Sequence, residues 1–176
     1  MLETILVPVD GSEHAGKAAA VAGDLAARHD ARVILLFVVQ NEQVTPAIRH
    51  YAEVEKLAAG SEAGGPQPRI EATPHGPAPI VVTEQPARSD RAVAASLAEQ
   101  VLTQSRQVAG KHGARNIETR TMEGDPAHAI LERAKTERAD AIVMGSRGLS
   151  DFQGVLIGSV SHKVAHRAPC TCITVH

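Results

Sequence analysis

The residues with the clearest capacity for chemistry lie at positions 144–161, in the sequence MGSRGLSDFQGVLIGSVS. Gly145 and Gly148 are separated by two residues, and nine more residues separate Gly148 from the pair Gly158 and Ser159. Glycines allow a backbone to approach a ligand closely. A helix that begins at Ser159 presents free N–H groups and the positive end of its dipole. This spacing is therefore typical of a loop that holds an anion such as phosphate.

The residues of this stretch leave two interpretations open. The hydroxyls of Ser159 and Ser161 and the positive charge of Arg147 favour phosphate binding. A plain strand-to-helix connection would use the same glycines, with Gly145 leaving the strand in a backbone conformation that other residues resist. The stretch matches neither GxxxxGK[ST] nor GxGxxG, which disfavours a P-loop and a standard dinucleotide fold.

The elements that must position this loop alternate along the chain between short apolar runs and helical patterns. A helix is expected from an N-cap at Ser12 to about His29, and a second from about Asp90 to His112. Asp125 and Pro126 form a strong helix start, and a last helix should run from Ser159 to about Arg167. The predicted strands are Ile5–Val9, Val33–Val39, Asn116–Glu123, Ala141–Met144 and Thr171–Val175.

Strands that alternate with helices predict a doubly wound parallel sheet. In such sheets ligands bind beyond the carboxyl ends of the strands, at the point where the strand order reverses. A Pro/Gly-rich insert at about 41–89, with seven of the ten prolines, interrupts the pattern. A short helix is expected at 47–59 and a long loop or disordered segment at 60–89. The whole chain is expected to form one domain.

Composition excludes several classes of function. The net charge of -2 gives no reason to expect nucleic acid as a partner. No apolar run is long enough for a membrane span, and the N-terminal residues do not resemble a secretory leader, so a cytoplasmic protein is expected. The two cysteines, Cys170 and Cys172, form no CxxC motif and indicate neither zinc nor a disulfide framework.

Other candidate sites are weaker. His162 and His166 share one helix face at i, i+4 spacing, but no third metal ligand is near them in sequence, so surface or interface positions are favoured. Asp10 is a possible ligand-binding residue or simply a helix cap. It lacks the adjacent acidic pair of a phospho-accepting receiver domain. No nucleophile with a base and no acid–base pair of carboxylates can be identified, so no catalytic residues are assigned.

Four stretches in this order resemble the universal stress proteins: ILVPVDGSEHA, VILLFVV, GDPAHAIL and ADAIVMGSRG. The spacing G-x2-G-x9-G-[ST] at positions 145–159 matches the ATP-binding branch of that family. The resemblance covers residues 1–40 and 90–176. It implies a flavodoxin/Rossmann-like three-layer sandwich with a five-stranded parallel sheet in the order 3-2-1-4-5. The insert and Phe37, where the family usually has histidine, are departures from the family pattern.

The resemblance also implies the ligand contacts. The nucleoside would lie against the ends of the first, second and fourth strands, with the second strand's backbone reading the adenine edge. The phosphates would lie at the glycine-rich loop, bridged by a divalent ion, which is expected to be Mg²⁺. The residues implied are Pro8, Val9, Asp10, Val38, Met144 and Gly145 for the nucleoside, and Gly148, Gly158, Ser159, Val160 and Ser161 for the phosphates. Arg147 is a further candidate because of its positive charge, and a solvated loop charge is the equal alternative for it.

The function expected from this resemblance is ATP binding by a nucleotide-dependent regulatory or sensor protein. A homodimer through Thr171–Val175 is implied, with a tetramer as the alternative, and a transporter is one candidate protein partner. A slow ATPase and a nucleotide-free dimeric scaffold are the competing hypotheses.

Overall fold

The computed structural model describes residues 2–40, 87–149 and 158–176. Five strands form one parallel sheet in the order β3-β2-β1-β4-β5. The strands are β1 (Thr4–Pro8), β2 (Arg32–Val39), β3 (Asn116–Glu123), β4 (Ala141–Gly145) and β5 (Thr171–Val175). The predicted fold class and strand order are confirmed, and each strand lies within one residue of its predicted bounds at either end.

Helices cover the two faces of this sheet. They are α1 (Glu13–His29), α2 (Ala87–Lys111), α3 (Pro126–Thr136) and α4 (Ser159–Arg167). Both predicted side-chain caps are present: the Ser12 hydroxyl accepts the N–H of Ala15, and the Asp125 carboxylate accepts the N–H of His128. Pro126 occupies the first turn of α3, where its missing N–H costs nothing.

The core lies on both faces of β1, β2 and β4, which explains their continuous apolar sequences. Leu6, Ile34 and Ile142 are fully buried against α3 and α4. On the opposite face α1 packs through a stripe of small side chains, and Gly23 brings it so close to α2 that an added Cβ would lie 2.6 Å from the Ala109 carbonyl oxygen. β3 and β5 form the edges and are less buried.

The strand order reverses between β1 and β4, which are hydrogen-bonded neighbours. From β1 the chain adds β2 and β3 on one side, and β4 and β5 lie on the other. The loops that follow β1 and β4 therefore lie side by side at the carboxyl ends of the strands. This is the place where doubly wound sheets bind their ligands.

The start of α2 differs from the prediction. The helix begins at Ala87 rather than at about Asp90, so residues 87–89 are helical and do not belong to the expected loop. Asp90 resembles an N-cap, but alanine, arginine and serine before it are all compatible with a helix, and sequence patterns place helix ends only within a few residues. The helix expected at 47–59 and the rest of the insert lie outside the described residues.

Met1–Gln43 and Ala94–His176 form one compact unit, and Val44–Val93 is a second, of which the structure describes only the beginning of α2. The architecture above is that of the first unit. None of the helices in the described ranges is long and apolar enough to cross a membrane.

Candidate functional site

Asp10 connects the loops that follow β1 and β4. Its Oδ1 accepts a hydrogen bond from the backbone N–H of Ser12 at 2.9 Å, which closes a turn at the entrance to α1. Its Oδ2 accepts the N–H of Leu149 at 3.3 Å, across the reversal point of the sheet. The Ser12 hydroxyl also lies 3.4 Å from the Arg147 carbonyl oxygen. Asp10 and Ser12 thus hold the glycine-rich loop beside the end of β1.

Gly145 ends β4 directly against the first turn of α1. A Cβ added to Gly145 would lie 2.9 Å from the carbonyl carbon of His14 and 3.0 Å from the nitrogen of Ala15. Its φ is not in the left-handed region, so the expectation that Gly145 turns the chain through an unusual backbone conformation is wrong. The requirement for glycine here is close backbone packing.

Gly158 is the N-cap residue of α4 and has no side chain with which to cap the helix. Among the described residues no side chain caps this helix, in contrast to α1 and α3. The first intrahelical hydrogen bond runs from the N–H of His162 to the Gly158 carbonyl oxygen at 3.0 Å. The amides of Ser159, Val160 and Ser161 precede that bond and belong to the group of helix donors that needs partners from outside. Together with the helix dipole they form an anion-binding arrangement.

Ser161 has a different environment from Ser159. Ser159 is exposed, whereas Ser161 is 3% exposed. The Ser161 hydroxyl lies 2.7 Å from the Ser146 carbonyl oxygen and 2.9 Å from that of Gly158, so its single proton is directed into the protein. The N–H of Gly158 donates to the same Ser146 oxygen at 2.7 Å. Ser146 is therefore the point at which the end of β4 and the start of α4 are joined.

Val38 lies near the end of β2, beyond the last residue of β1. The Val9 N–H donates to the Leu36 carbonyl oxygen at 2.9 Å, which is the last bond between the two segments. Because alternate residues of a strand direct their backbone groups to the same neighbour, the N–H and C=O of Val38 face the side that β1 has left. Those groups are available to the edge of a planar ligand.

The structure brings the predicted site residues together at the carboxyl ends of the strands, where their side chains are exposed to different degrees. Pro8, Asp10, Gly148 and Gly158 are half-buried. Val9 and Met144 are buried, and the Met144 side chain packs into the core beneath α3 and α4. Any contact from Met144 to a ligand in this arrangement is therefore made by its backbone. Val160 also packs against that core, so its backbone N–H is the group available to a ligand.

No group of three or more His, Cys, Asp or Glu side chains suited to a metal ion occurs in the part of the chain that the structure describes. His162 and His166 are both exposed on α4.

The model of the universal stress protein family matches residues 1–88 and 69–176. The chain belongs to the universal stress protein family. Across 175 residues it is 30% identical to a universal stress protein of Thermus aquaticus, and the match covers 99% of both chains. The universal stress protein UspA from Lactobacillus plantarum has a similar structure, with a TM-score of 0.67 and 28% identity over 99% of this chain and 98% of that one.

Two solved structures with the same fold contain nucleotides. A universal stress protein in complex with cAMP has a TM-score of 0.61 at 24% identity, covering 99% of this chain and 97% of that chain. The universal stress protein from Archaeoglobus fulgidus in complex with dAMP has a TM-score of 0.59 at 17% identity, covering 100% of this chain and 98% of that chain. Both resemblances establish the fold.

The sequence of this universal stress protein did not point to three of the residues that shape the site. Ser12 was predicted only as a helix cap, and Leu149 and Ser146 were not singled out. Leu149 is 47% exposed and contributes its backbone N–H, which sequence patterns do not mark. Ser146 is fully buried, and its own hydroxyl has no hydrogen-bond partner in the described ranges. Its position directly after Gly145 was the one available indication.

Proposed function

We propose that this universal stress protein binds ATP, an adenine nucleotide, at the carboxyl ends of β1, β2 and β4. The observation that carries the proposal is the start of α4. This helix follows its N-cap residue Gly158 with no side-chain cap from the part of the chain that the structure describes, and it lies beside the loops that Asp10 joins. Free amides at a helix N-terminus recognise phosphate through hydrogen bonds and through the helix dipole.

The residues present fit such a ligand. Where a side chain would narrow the space, the chain has Gly148 and Gly158. An added Cβ at these positions would lie 2.6 Å from the Asp10 carboxylate and 3.3 Å from the Ser146 carbonyl oxygen. The amides of 159–161 and Arg147 would hold the phosphates, and Gly158 would let the phosphates approach because it has no side chain. The nucleoside would lie against Pro8, Val9 and Asp10, the backbone of Val38, and the backbone of Met144 and Gly145. Mg²⁺, if bound, would bridge phosphate oxygens.

The two nucleotide complexes of related folds support an adenine base in particular. Both bound molecules, cAMP and dAMP, carry adenine, a sugar and one phosphate. The site proposed here offers matching parts in the same order along the sheet edge: backbone groups at β2, a carboxylate at β1 and free amides at α4. ATP rather than AMP is favoured by the resemblance of the G-x2-G-x9-G-[ST] stretch to the ATP-binding branch of the family.

We infer a regulatory or sensor role rather than rapid turnover. The Asp10 carboxylate already accepts two backbone N–H groups, which makes it a poor general base. Nucleotide occupancy would instead change the partners that the protein binds. A slow ATPase is the alternative, and ATP turnover that is lost in an Asp10→Ala variant would support it. A nucleotide-free dimeric scaffold is the third candidate.

The proposal includes a homodimer. β5 is an edge strand, and its outer backbone groups are suited to pairing with a second copy. A tetramer, a protein partner such as a transporter and a cytoplasmic location remain parts of the hypothesis. So does the organisation of the chain as one domain with an insert at about 41–89.

Calorimetric titration with ATP, ADP and AMP, with and without Mg²⁺, tests the binding proposal. We expect micromolar ATP binding that is abolished by Ser159→Asp and kept within about threefold by Ser159→Asn. Aspartate in the first turn stabilises a helix by about 0.3–1 kcal/mol but repels phosphate, so a loss confined to Ser159→Asp cannot result from unfolding. Absence of heat with every nucleotide, from folded and nucleotide-free protein, would reject the proposal in favour of the scaffold.

A further inference from the structure

Ser161 is placed to organise the start of α4 rather than to contact a ligand. It is one of four polar residues buried in the described part of the chain, at 3% exposure, whereas Ser159 two residues earlier is exposed. A hydroxyl has one proton to donate, and here that proton faces two carbonyl oxygens of the protein. The hydroxyl therefore has no proton left for a phosphate oxygen.

The hydrogen bonds around Ser161 form a closed arrangement. The Ser146 carbonyl oxygen accepts from both the Gly158 N–H and the Ser161 hydroxyl, each at 2.7 Å. The Gly158 carbonyl oxygen accepts from the Ser161 hydroxyl at 2.9 Å and from the His162 N–H at 3.0 Å. One hydroxyl thus links the residue after β4 with the first residue before α4.

Ser146, the partner of Ser161 in this arrangement, is itself hydrogen-bonded to the sheet. The Ser146 N–H donates to the Val175 carbonyl oxygen at 2.8 Å, so Ser146 remains part of the parallel ladder between β4 and β5. Ser146 is fully buried and cannot shift without disturbing the sheet. The clamp therefore fixes the direction of the α4 amides relative to the buried sheet.

We propose that Ser161 is a positioning residue, whose hydroxyl clamps the first turn of α4 to the Ser146 carbonyl and pre-orients the amides of 159–161 for a phosphate. This inference rests on the proposed function and revises the expected direct contact between the Ser161 hydroxyl and phosphate. Pre-orientation increases affinity because the amides need not be ordered when the ligand binds.

The first test uses the full chain without nucleotide. Amide hydrogen exchange followed by NMR should show the N–H groups of Gly158 and His162 exchanging about fivefold faster in Ser161→Ala, the effect of losing one neutral hydrogen bond. Ser146→Ala is the matched control. It removes a hydroxyl from the same buried region but leaves the accepting carbonyl in place, so we expect the exchange of both amides to be unchanged.

The second test measures ligand affinity. AMP should bind Ser161→Ala about fivefold more weakly than the unaltered protein, whereas adenosine should bind both equally. Unchanged exchange in the free Ser161→Ala protein, with weaker AMP binding, would overturn the positioning role and indicate direct contact. Faster exchange with unchanged AMP affinity would overturn it as well. If the unaltered protein binds no nucleotide, the proposed function fails, while the exchange result still decides whether the clamp exists.

Discussion

The Oδ2 atom of Asp10 lies 2.6 Å from the position that a Cβ on Gly148 would occupy, and the same oxygen accepts the Leu149 N–H at 3.3 Å. The carboxylate of the first loop therefore fits against the backbone of the second where only glycine leaves room. This relationship explains the second glycine of the G-x2-G-x9-G spacing. Gly148 allows the loop after β4 to hydrogen-bond to Asp10.

We predict that Gly148→Ala lowers nucleotide affinity but has little effect on the free energy of unfolding. The clash is with the end of an Asp10 side chain, which can rotate away, so the free energy of unfolding should fall by less than about 1 kcal/mol. Rotation moves the carboxylate away from the position proposed to face the nucleoside and releases the exposed Leu149 N–H. Nucleotide affinity should therefore fall about tenfold, which corresponds to about 1.4 kcal/mol. Urea denaturation and calorimetry measure the two quantities on the same preparation.

Two further variants check this explanation. Gly16→Ala is the matched glycine control, because its added Cβ would have no described atom within 4 Å apart from the local backbone of α1. The substitution should stabilise α1 by roughly 0.5–1 kcal/mol. In an Asp10→Ala background, Gly148→Ala should have almost no further effect on affinity, since the clashing carboxylate is gone. Additive losses in the double variant would contradict the proposed relationship.

Gly145→Ala is expected to have the opposite effect to Gly148→Ala, because it should mainly lower the free energy of unfolding. Its added Cβ would meet backbone atoms of His14 and Ala15 at 2.9–3.0 Å, and these atoms cannot rotate away. Crowding of this kind costs about 1–3 kcal/mol in the free energy of unfolding, measurable by urea denaturation. Gly158→Ala, whose nearest contact would be 3.3 Å, provides the comparison and should cost less. Equal losses at the two positions would contradict the packing argument.

The sheet was predictable from sequence because its signals are local. Apolar runs of four to seven residues mark the strands buried on both faces. The caps Ser12 and Asp125 mark helix starts with one side chain each. The start of α2 was misplaced by about three residues because Asp90 offers a cap where alanine and arginine already favour the helix.

The site was predictable in its location but not in its internal contacts. The glycine spacing pointed to the loop after β4, and the fold class pointed to the edge where that loop meets β1. Why each position needs glycine depends on tertiary contacts, since Gly145 faces a helix backbone and Gly148 faces a carboxylate. Whether a serine faces solvent or a buried carbonyl, as Ser159 and Ser161 do, depends on tertiary packing that a short motif does not encode.

The thiols of Cys170 and Cys172 should react slowly in the native protein. Burial raises the pKa of both thiols, and for Cys170 the charge of Asp140 adds to the effect, so less thiolate is present at pH 8. We expect iodoacetamide to alkylate the native protein about tenfold more slowly than the urea-unfolded chain. Cys170→Ser and Cys172→Ser variants assign the rates to each thiol. Equal rates in native and unfolded protein would contradict this prediction.

Acid should lower the free energy of unfolding in part through protonation of Asp140. This residue directly precedes β4 and so lies at the opposite end of the strand from the site. The Oδ2 of Asp140 accepts the N–H groups of Glu3 and Thr4 at 2.8 and 2.9 Å, and these bonds hold the pKa of its carboxyl below the usual range. A lowered native pKa adds stability above the unfolded value of about 3.9, and this is lost as pH falls through the native pKa. The urea midpoint should therefore fall more between about pH 6 and pH 3 in the unaltered protein than in Asp140→Asn. Parallel curves for the two proteins would show that the carboxylate contributes nothing specific.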